Sequence, residues 1–472
     1  MSAGLVACSS DDKAEDGPST PPVIPEGDLA DASGTLTPSN PTTLSVWITT
    51  ASQAPAADNK ITQLLKDQLG VTLEYEIVTP DNVDQKIGVM LAGGDYPDLI
   101  GTTDLRMRLL EGGALLRLDD MLATGDYPNL ATHVEDDIRK MSYTGGEVED
   151  GLYIFPNYNR FYGEPTGGTY YGPAFWIQKR VLEDAGYPDL SDMTLERYFE
   201  LIADYKAENP ETNGIPTVGF EVLASTGREW GMTNPPALLA GSPNNGGVIV
   251  DEDGNAEIYA NKDIARDFYE VLNENYAKGL VDPESFTLTF DQYVAKLATG
   301  AVLGMHDQGW DFQTATDSLR SAGMDEYTYV PLMPVYEGVE PWYADRPVMN
   351  TNQGFGVSVS SDQPAEFFAT LSDYDRGFME QYGKQTWLEF MNPQPENPVY
   401  YPAWNITLSD EANQVNQQIT DAAVQNLPRI IAGDPAEFDA NWQAFVDNIS
   451  RIDVAVYEDA INAGIQDRIA NW

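Results

Sequence analysis

A chain of 472 residues with a single cysteine excludes an intramolecular disulfide framework and any cysteine-based metal cluster. Its 26 Lys plus Arg against 75 Asp plus Glu leave a net charge of −49. That surface repels nucleic acid and anionic headgroups, stays soluble, and leaves neutral or cationic small molecules as ligands. The length points to two or three domains, and no apolar run is long enough to span a bilayer as a helix.

The first feature in chain order is Leu5-Val6-Ala7-Cys8. An apolar residue three before the cysteine and small residues around the cut resemble a bacterial lipobox, whose cysteine is lipidated. Residues 1–8 are read as residual signal peptide, with Cys8 as the lipid anchor. Residues 9–43 are rich in Ser, Thr, Pro, Asp and Gly and contain no aromatic side chain. They cannot bury enough apolar area to offset their ordering entropy, so they are read as a disordered tether. A cleaved pro-segment is the competing reading.

From Leu44 the pattern becomes globular. Leu44–Ile48 predicts a strand, Asn59–Leu69 an amphipathic helix closed by Gly70, and Val71–Ile77 a strand of period two. Asn82–Ala92 predicts a helix with Val83, Ile87, Met90 and Leu91 on one face, and Tyr96–Ile100 a third strand. This alternation implies an α/β fold with a parallel, doubly wound sheet. Further on, Phe175–Ile177 and Ala301–Met305 read as strands. Lys179–Ala185, Leu195–Asn209, Asp263–Ala277 and Phe290–Ala298 read as helices, and a helical region runs from Glu411 to the end. There, Phe438, Trp442, Phe445, Val446 and Ile449 form a stripe expected to pack into a core.

The catalytic inventory is thin. The two histidines, His133 and His306, sit in no metal-protease, nucleophile-elbow, phosphate-loop or dinucleotide motif. With 75 acids, some carboxylate pair near any cleft is inevitable and carries no information about glycoside hydrolysis. Aromatics carry more. Trp230, Trp310, Tyr158 and others fall in turn-rich stretches beside Asp, Asn, Gln and Arg, the composition of a sugar site. There a flat ring meets the apolar face of a pyranose and polar edges bond its hydroxyls. Many of the same rings also serve as core packing.

Three stretches together resemble a known family: MLAGGDYPDLIGT, AFWIQKRVLEDAGYPDLSDMTLERYFELIADYKAENPETNG, and QYVAKLATGAVLGMHDQGWDF. Their order and spacing are similar to extracellular solute-binding protein family 1, the sugar-binding lipoproteins of bacterial ABC importers. The resemblance covers about Leu44 to Trp472. It implies a two-lobed, periplasmic-binding-protein-like fold with hinge crossovers near Phe155–Asn159, Gly304–Gln308 and Met349–Gln353. Residues 44–155 and 306–350 would form lobe 1, and 156–305 and 351–472 lobe 2. An oligosaccharide would be held in the interlobe cleft, trapped by hinge bending, and passed to an ABC transporter permease. The protein would be a non-enzymatic monomer, lipid-anchored on the outer face of a Gram-positive-type membrane, with no nucleic-acid partner.

Carried over position by position, the resemblance implies ligand contacts at Trp47, Asp104, Tyr158, Asn159, Arg228, Trp230, Asp307, Gln308, Trp310, Asn350 and Asn352. Trp310 is the leading stacking residue. No cofactor is implied. Some longer members carry a Ca2+ loop after the Thr-capped helix, but here the segment is short. Glu211, Asn213 and Glu221 offer oxygens, and a full ligand set is not visible. Two other functions compete: a secreted glycoside hydrolase or lyase with a carboxylate pair, and a binder of a cationic solute such as a polyamine or basic peptide.

Overall fold

The structure, a computed structural model, describes residues 39, 41–49, 54–56, 59–78, 83–101, 106–119, 123–125, 150–154, 170, 172–191, 193–225, 227–340, 373–384, 387–391 and 398–472. Cys8 and nearly all of the tether lie outside them. The described residues fall into two compact units, those up to 154 in one and those from 170 onward in the other.

In the first unit, β1 (Thr42–Thr49) begins two residues before the expected strand. The Asn59 side chain accepts from the amides of Ile61 and Thr62 to start α1 (Lys60–Leu64). The helix runs on as one π-helical turn, Leu65–Leu69, and stops at Gly70, whose φ of 69° suits a residue without Cβ. β2 (Val71–Val78), α2 (Val83–Gly93), the short β3 (Leu99–Ile100) and α3 (Arg106–Glu111) follow. The sheet order is β2-β1-β3, with both pairings parallel. Asp98 locks β3 to β1: its Oδ2 accepts from both the amide and the hydroxyl of Ser45, each at 2.7 Å. These bonds hold the Asp98 carboxyl below its ordinary range. Ile87, Leu109, Leu110 and Trp47 are among the side chains that fill the core of this unit.

The second unit is built on β4 (Pro173–Gln178), which leads directly into α4 (Lys179–Asp184). Thr194 caps α5 (Leu195–Glu208), which is followed by the two-residue strands β5 (Glu211–Thr212) and β6 (Ile215–Pro216) and then by β7 (Val218–Glu221). Next come α6 (Trp230–Thr233), α7 (Pro235–Leu239), and the paired strands β8 (Val248–Val250) and β9 (Ala256–Ile258). α8 (Asp263–Ala277) and α9 (Phe290–Leu297) lead to β10 (Val302–Gln308), and α9 starts with a Thr289–Gln292 capping box. α10 (Gln313–Ser321), β11 (Tyr329–Leu332) and α11 (Asp373–Gln381) follow. The chain ends in α12 (Asp410–Ala432), α13 (Phe438–Ile449) and α14 (Val454–Asn471). In the α13 stripe, Phe438, Trp442, Phe445 and Ile449 are buried, and Val446 packs partly against the core.

The main sheet has the order β11-β4-β10-β7 and is mixed, not parallel throughout: β4 runs antiparallel to both neighbours, while β10 and β7 are parallel. Hydrophobic periodicity reports which residues are buried and carries no strand direction. The same sheet corrects the lobe assignment. Residues 306–340, expected in lobe 1, belong to the second unit. Gly304–Gln308, expected as a crossover, is a buried length of β10 paired throughout with β4 and, at Gly304 and Met305, also with β7. Gly304 is needed where α5 crosses the sheet: a Cβ there would stand 2.2 Å from Tyr198 Oη, which donates to Trp176 O at 2.7 Å. The remaining crossover residues lie outside the described ones.

Two buried charge clusters tie distant segments together. Lys179, at the start of α4, is fully buried and pairs with Asp375 of α11. Its Nζ also donates to Thr328 Oγ1 at 2.6 Å and lies 4.6 Å from the Trp387 ring centre. Burial pulls this amine down to about 8 against the opposing pull of Asp375. In the second cluster, Lys296 of α9 pairs with Asp282 and reaches Glu221 of β7 at 3.4 Å. Glu221 Oε1 accepts from Ser285 Oγ at 2.6 Å. Burial, and then the neighbouring Asp282 carboxyl, push Glu221 up to about 8.

Lys179→Met should lower the urea midpoint by a shift worth about 3 kcal/mol, because it removes the amine paired with the buried Asp375 and leaves Arg320, 4.0 Å away, as the remaining cation beside it; a midpoint unchanged within error contradicts that. The folded state holds a Glu221 proton that the unfolded chain releases above its ordinary 4.5. The stability this provides is full below that value and is lost as pH rises through about 8. Glu221→Gln should therefore flatten the fall in melting temperature between about pH 5 and 8, and an identical pH profile would count against this assignment.

Candidate functional site

The described candidates separate by burial. Trp47 is 3% exposed and belongs to the core of the first unit, because its strand position points inward. Asp104, Tyr158, Asn159, Asn350 and Asn352 lie outside the described residues, as does His133. The remaining five, Arg228, Trp230, Asp307, Gln308 and Trp310, come together on the second unit, where the end of β10 meets the loop that opens α6.

Trp310 is the exposed member, at 50% of its surface. It presents a flat apolar face with a polar edge. Trp230, at the first position of α6, supports it with ring centres 5.9 Å apart and planes inclined at 37°. Arg228 fixes the pair from beside. Its guanidinium lies 4.1 Å from the Phe290 ring centre and 5.4 Å from that of Trp310, and it forms an ion pair with Asp311. The Arg228 and Asp311 side chains are only 15% and 1% exposed. The charge pair is thus largely withdrawn from water and roofed by aromatic faces.

Beneath the platform the residues are polar and closed. Asp307 is fully buried: Tyr293 Oη donates to its Oδ2 at 2.8 Å, and the Gln308 amide to its Oδ1 at 2.6 Å. Burial pushes its carboxyl well above the usual range, and the neighbouring Asp311 adds to this. Burial likewise raises Asp311 to about 6, with Arg228 opposing. Asp307 and Gln308, both expected as contacts, are buried, at 0% and 8% exposure. The alternation of β10 carries Asp307 inward, and the Gln308 carbonyl accepts from the Asp311 amide at 2.9 Å to turn the chain outward at Trp310.

On the other face of β10, His306 packs edge-on to Phe175 at 5.0 Å, and its Nδ1 bonds the Gly231 carbonyl at 3.2 Å. Burial holds it down to about 4, so the ring is neutral and Nδ1–H is the donor. It ties α6, and with it Trp230, to the sheet. Phe290, Asp311, Tyr293 and His306 were thus missed as parts of one assembly. Their signals were the helix-opening position of Phe290 and the His-Asp-x-x-Trp-Asp run from 306 to 311.

The proposed calcium oxygens do not converge. Asn213 and Gly214 form a two-residue turn with φ of 53° and 81° between β5 and β6, a tight hairpin. Glu221 is engaged by Ser285 and Lys296. Among the described residues, no group of three or more His, Cys, Asp or Glu is placed to hold a metal. No helix among them is long and apolar enough to cross a membrane.

Comparison with known proteins agrees with this architecture. The fructooligosaccharide ABC transporter substrate-binding protein FusA of Streptococcus pneumoniae is 23% identical over 281 residues, covering 58% of this chain and 49% of that protein. The chain therefore aligns with about half the length of that curated relative. A solved solute-binding protein described as HMO-binding and ABC-transporter-associated, from Bifidobacterium longum infantis, superposes with a TM-score of 0.59 at 15% identity. It covers 92% of this chain and all of its own. FusA in complex with kestose superposes at 0.56 with 14% identity, over 91% of this chain and all of its own. At these identities the solved structures speak for the fold, an α/β fold of the solute-binding type. The family profile described as bacterial extracellular solute-binding protein matches residues 59–373, about two-thirds of the sequence, and the chain belongs to that family.

Proposed function

We propose that the protein captures a carbohydrate, probed best as an oligosaccharide, on the Trp310–Trp230 platform and delivers it to the permease of an ABC importer. The observation that carries this reading is Trp310 itself. It is a half-exposed indole held rigid by a second tryptophan and a buried ion pair. Such a ring costs free energy when left facing water and repays it when a pyranose covers its face. Family membership supports solute capture, and the relative's description as a fructooligosaccharide-binding protein supports a sugar. The platform offers stacking and supporting bonds and no activated nucleophile, so binding without turnover is the expected behaviour. Membrane attachment through a lipidated Cys8 completes the proposal, supported by the Leu-Val-Ala-Cys sequence and the polar, aromatic-free stretch after it.

Trp310→Ala should weaken affinity for the bound sugar by about 1–3 kcal/mol, the range for a stacking anchor. Titration calorimetry reads this directly, and unchanged affinity removes Trp310 from the site. Incubation with the same sugars should release no new reducing ends, and their appearance would favour a hydrolase. Mass spectrometry of protein isolated from cells should find a lipid-modified Cys8 at the N-terminus; an unmodified peptide spanning Ala7-Cys8 would contradict the anchor.

A further inference from the structure

We infer that Asp307 is a positioning residue of the platform: it is a neutral carboxylic acid that donates its proton to Asp311, and through Asp311 it holds Arg228 beside Trp310. This deepens the sugar-binding reading, and its consequence for affinity rests on that reading. The starting observation is an acceptor without a donor. Asp311 Oδ1 accepts from the Arg228 guanidinium, but Asp311 Oδ2 is buried and, among the described residues, no N–H or hydroxyl donates to it. An oxygen in that state carries its full desolvation penalty. The side chain that does meet the Asp311 carboxyl is a second carboxyl, that of Asp307. Two ionised carboxylates offer acceptor oxygens only, so a hydrogen bond between them requires one proton.

The surroundings decide which of the two carries it. Asp311 has Arg228 against it, which favours the charge there. Asp307 is fully buried at the end of β10, and both burial and the Asp311 charge favour its neutral form. Its oxygens accept from Tyr293 Oη at 2.8 Å and from the Gln308 amide at 2.6 Å. A protonated carboxyl keeps that acceptor capacity and gains one donor. Desolvation that holds an acid neutral so that it can donate is a known device of binding and catalytic sites. Tyr293 and Phe290 both stand on α9, with ring centres 6.3 Å apart, and Phe290 lies against Arg228. Asp307 therefore joins the strand end, α9 and the Arg228–Asp311 pair at one point.

The proton is tested without any ligand. Infrared difference spectra of the full chain near neutral pH, wild type minus Asp307→Asn, should show the carbonyl band of a protonated carboxylic acid, shifted by deuterium exchange. The proton on Glu221 is common to both proteins and cancels. Absence of the band overturns the inference. The positioning role is tested by calorimetry with maltotriose, raffinose and kestose, using whichever binds the wild type most tightly. Asp307→Leu, which removes the donor and keeps the volume, should bind that sugar at least about 10-fold more weakly. Asp307→Asn, whose amide N–H can still donate to Asp311, should recover affinity to within about threefold of wild type. A Leu variant that binds like wild type overturns the positioning role. An Asn variant as weak as the Leu variant overturns the donor role of the proton. Should Asp307→Leu fail to fold, the infrared comparison still decides. Failure of all three sugars to bind the wild type counts against the sugar reading, and the infrared band then decides the proton on its own.

Discussion

The register of β10 against β4 is the constraint on which the rest of the site depends. Asp307 faces Ala174 and Gln308 faces Pro173, so the paired strand ends where the chain must turn outward. That ending places Trp310 at the surface and Asp311 back under it, one residue apart. Trp176 Nε1 donates to the Asp307 carbonyl at 2.8 Å, which pins the end of the strand to its neighbour. A slip of one residue would bring Asp307 to the opposite face of the sheet and turn His306 away from α6. The exposed platform is thus a consequence of buried hydrogen bonding several residues earlier.

Around that strand, charge is handled the same way three times. Lys179 with Asp375, Lys296 with Asp282 and Glu221, and Arg228 with Asp311 each bury a cation against one or more carboxyl groups. Each joins segments far apart in sequence, and each contains a group whose titration is displaced by burial. In a chain so rich in acid, the few basic residues are valuable as structural ties. The Arg228 pair differs from the others in its place beside an exposed ring.

Most elements were legible because their signals are local. Asn59, Thr194 and Thr289 cap the helices they precede, and the period of Val71–Ile77 gives its strand. What was not legible is long-range. The antiparallel direction of β4, and the placing of 306–340 in the second unit, depend on pairings between residues more than a hundred positions apart. The C-terminal helical region was visible as a whole, and its division into α12, α13 and α14 follows the interruptions at Gly433-Asp434-Pro435 and Asp453. At the site, residue type exposed Trp310 and Trp230, but burial could not be read from it. Trp47, Asp307 and Gln308 have the composition of ligand contacts and are buried. Phe290, an ordinary apolar residue in the sequence, completes the sandwich around Arg228.

The central claim is that sugar binds by covering Trp310. A crystal structure of the protein with the tightest-binding oligosaccharide tests it most directly. The account predicts a sugar ring stacked on the exposed face of Trp310, with the Arg228–Asp311 pair intact beneath it. A bound oligosaccharide that touches neither Trp310 nor Trp230 would contradict it.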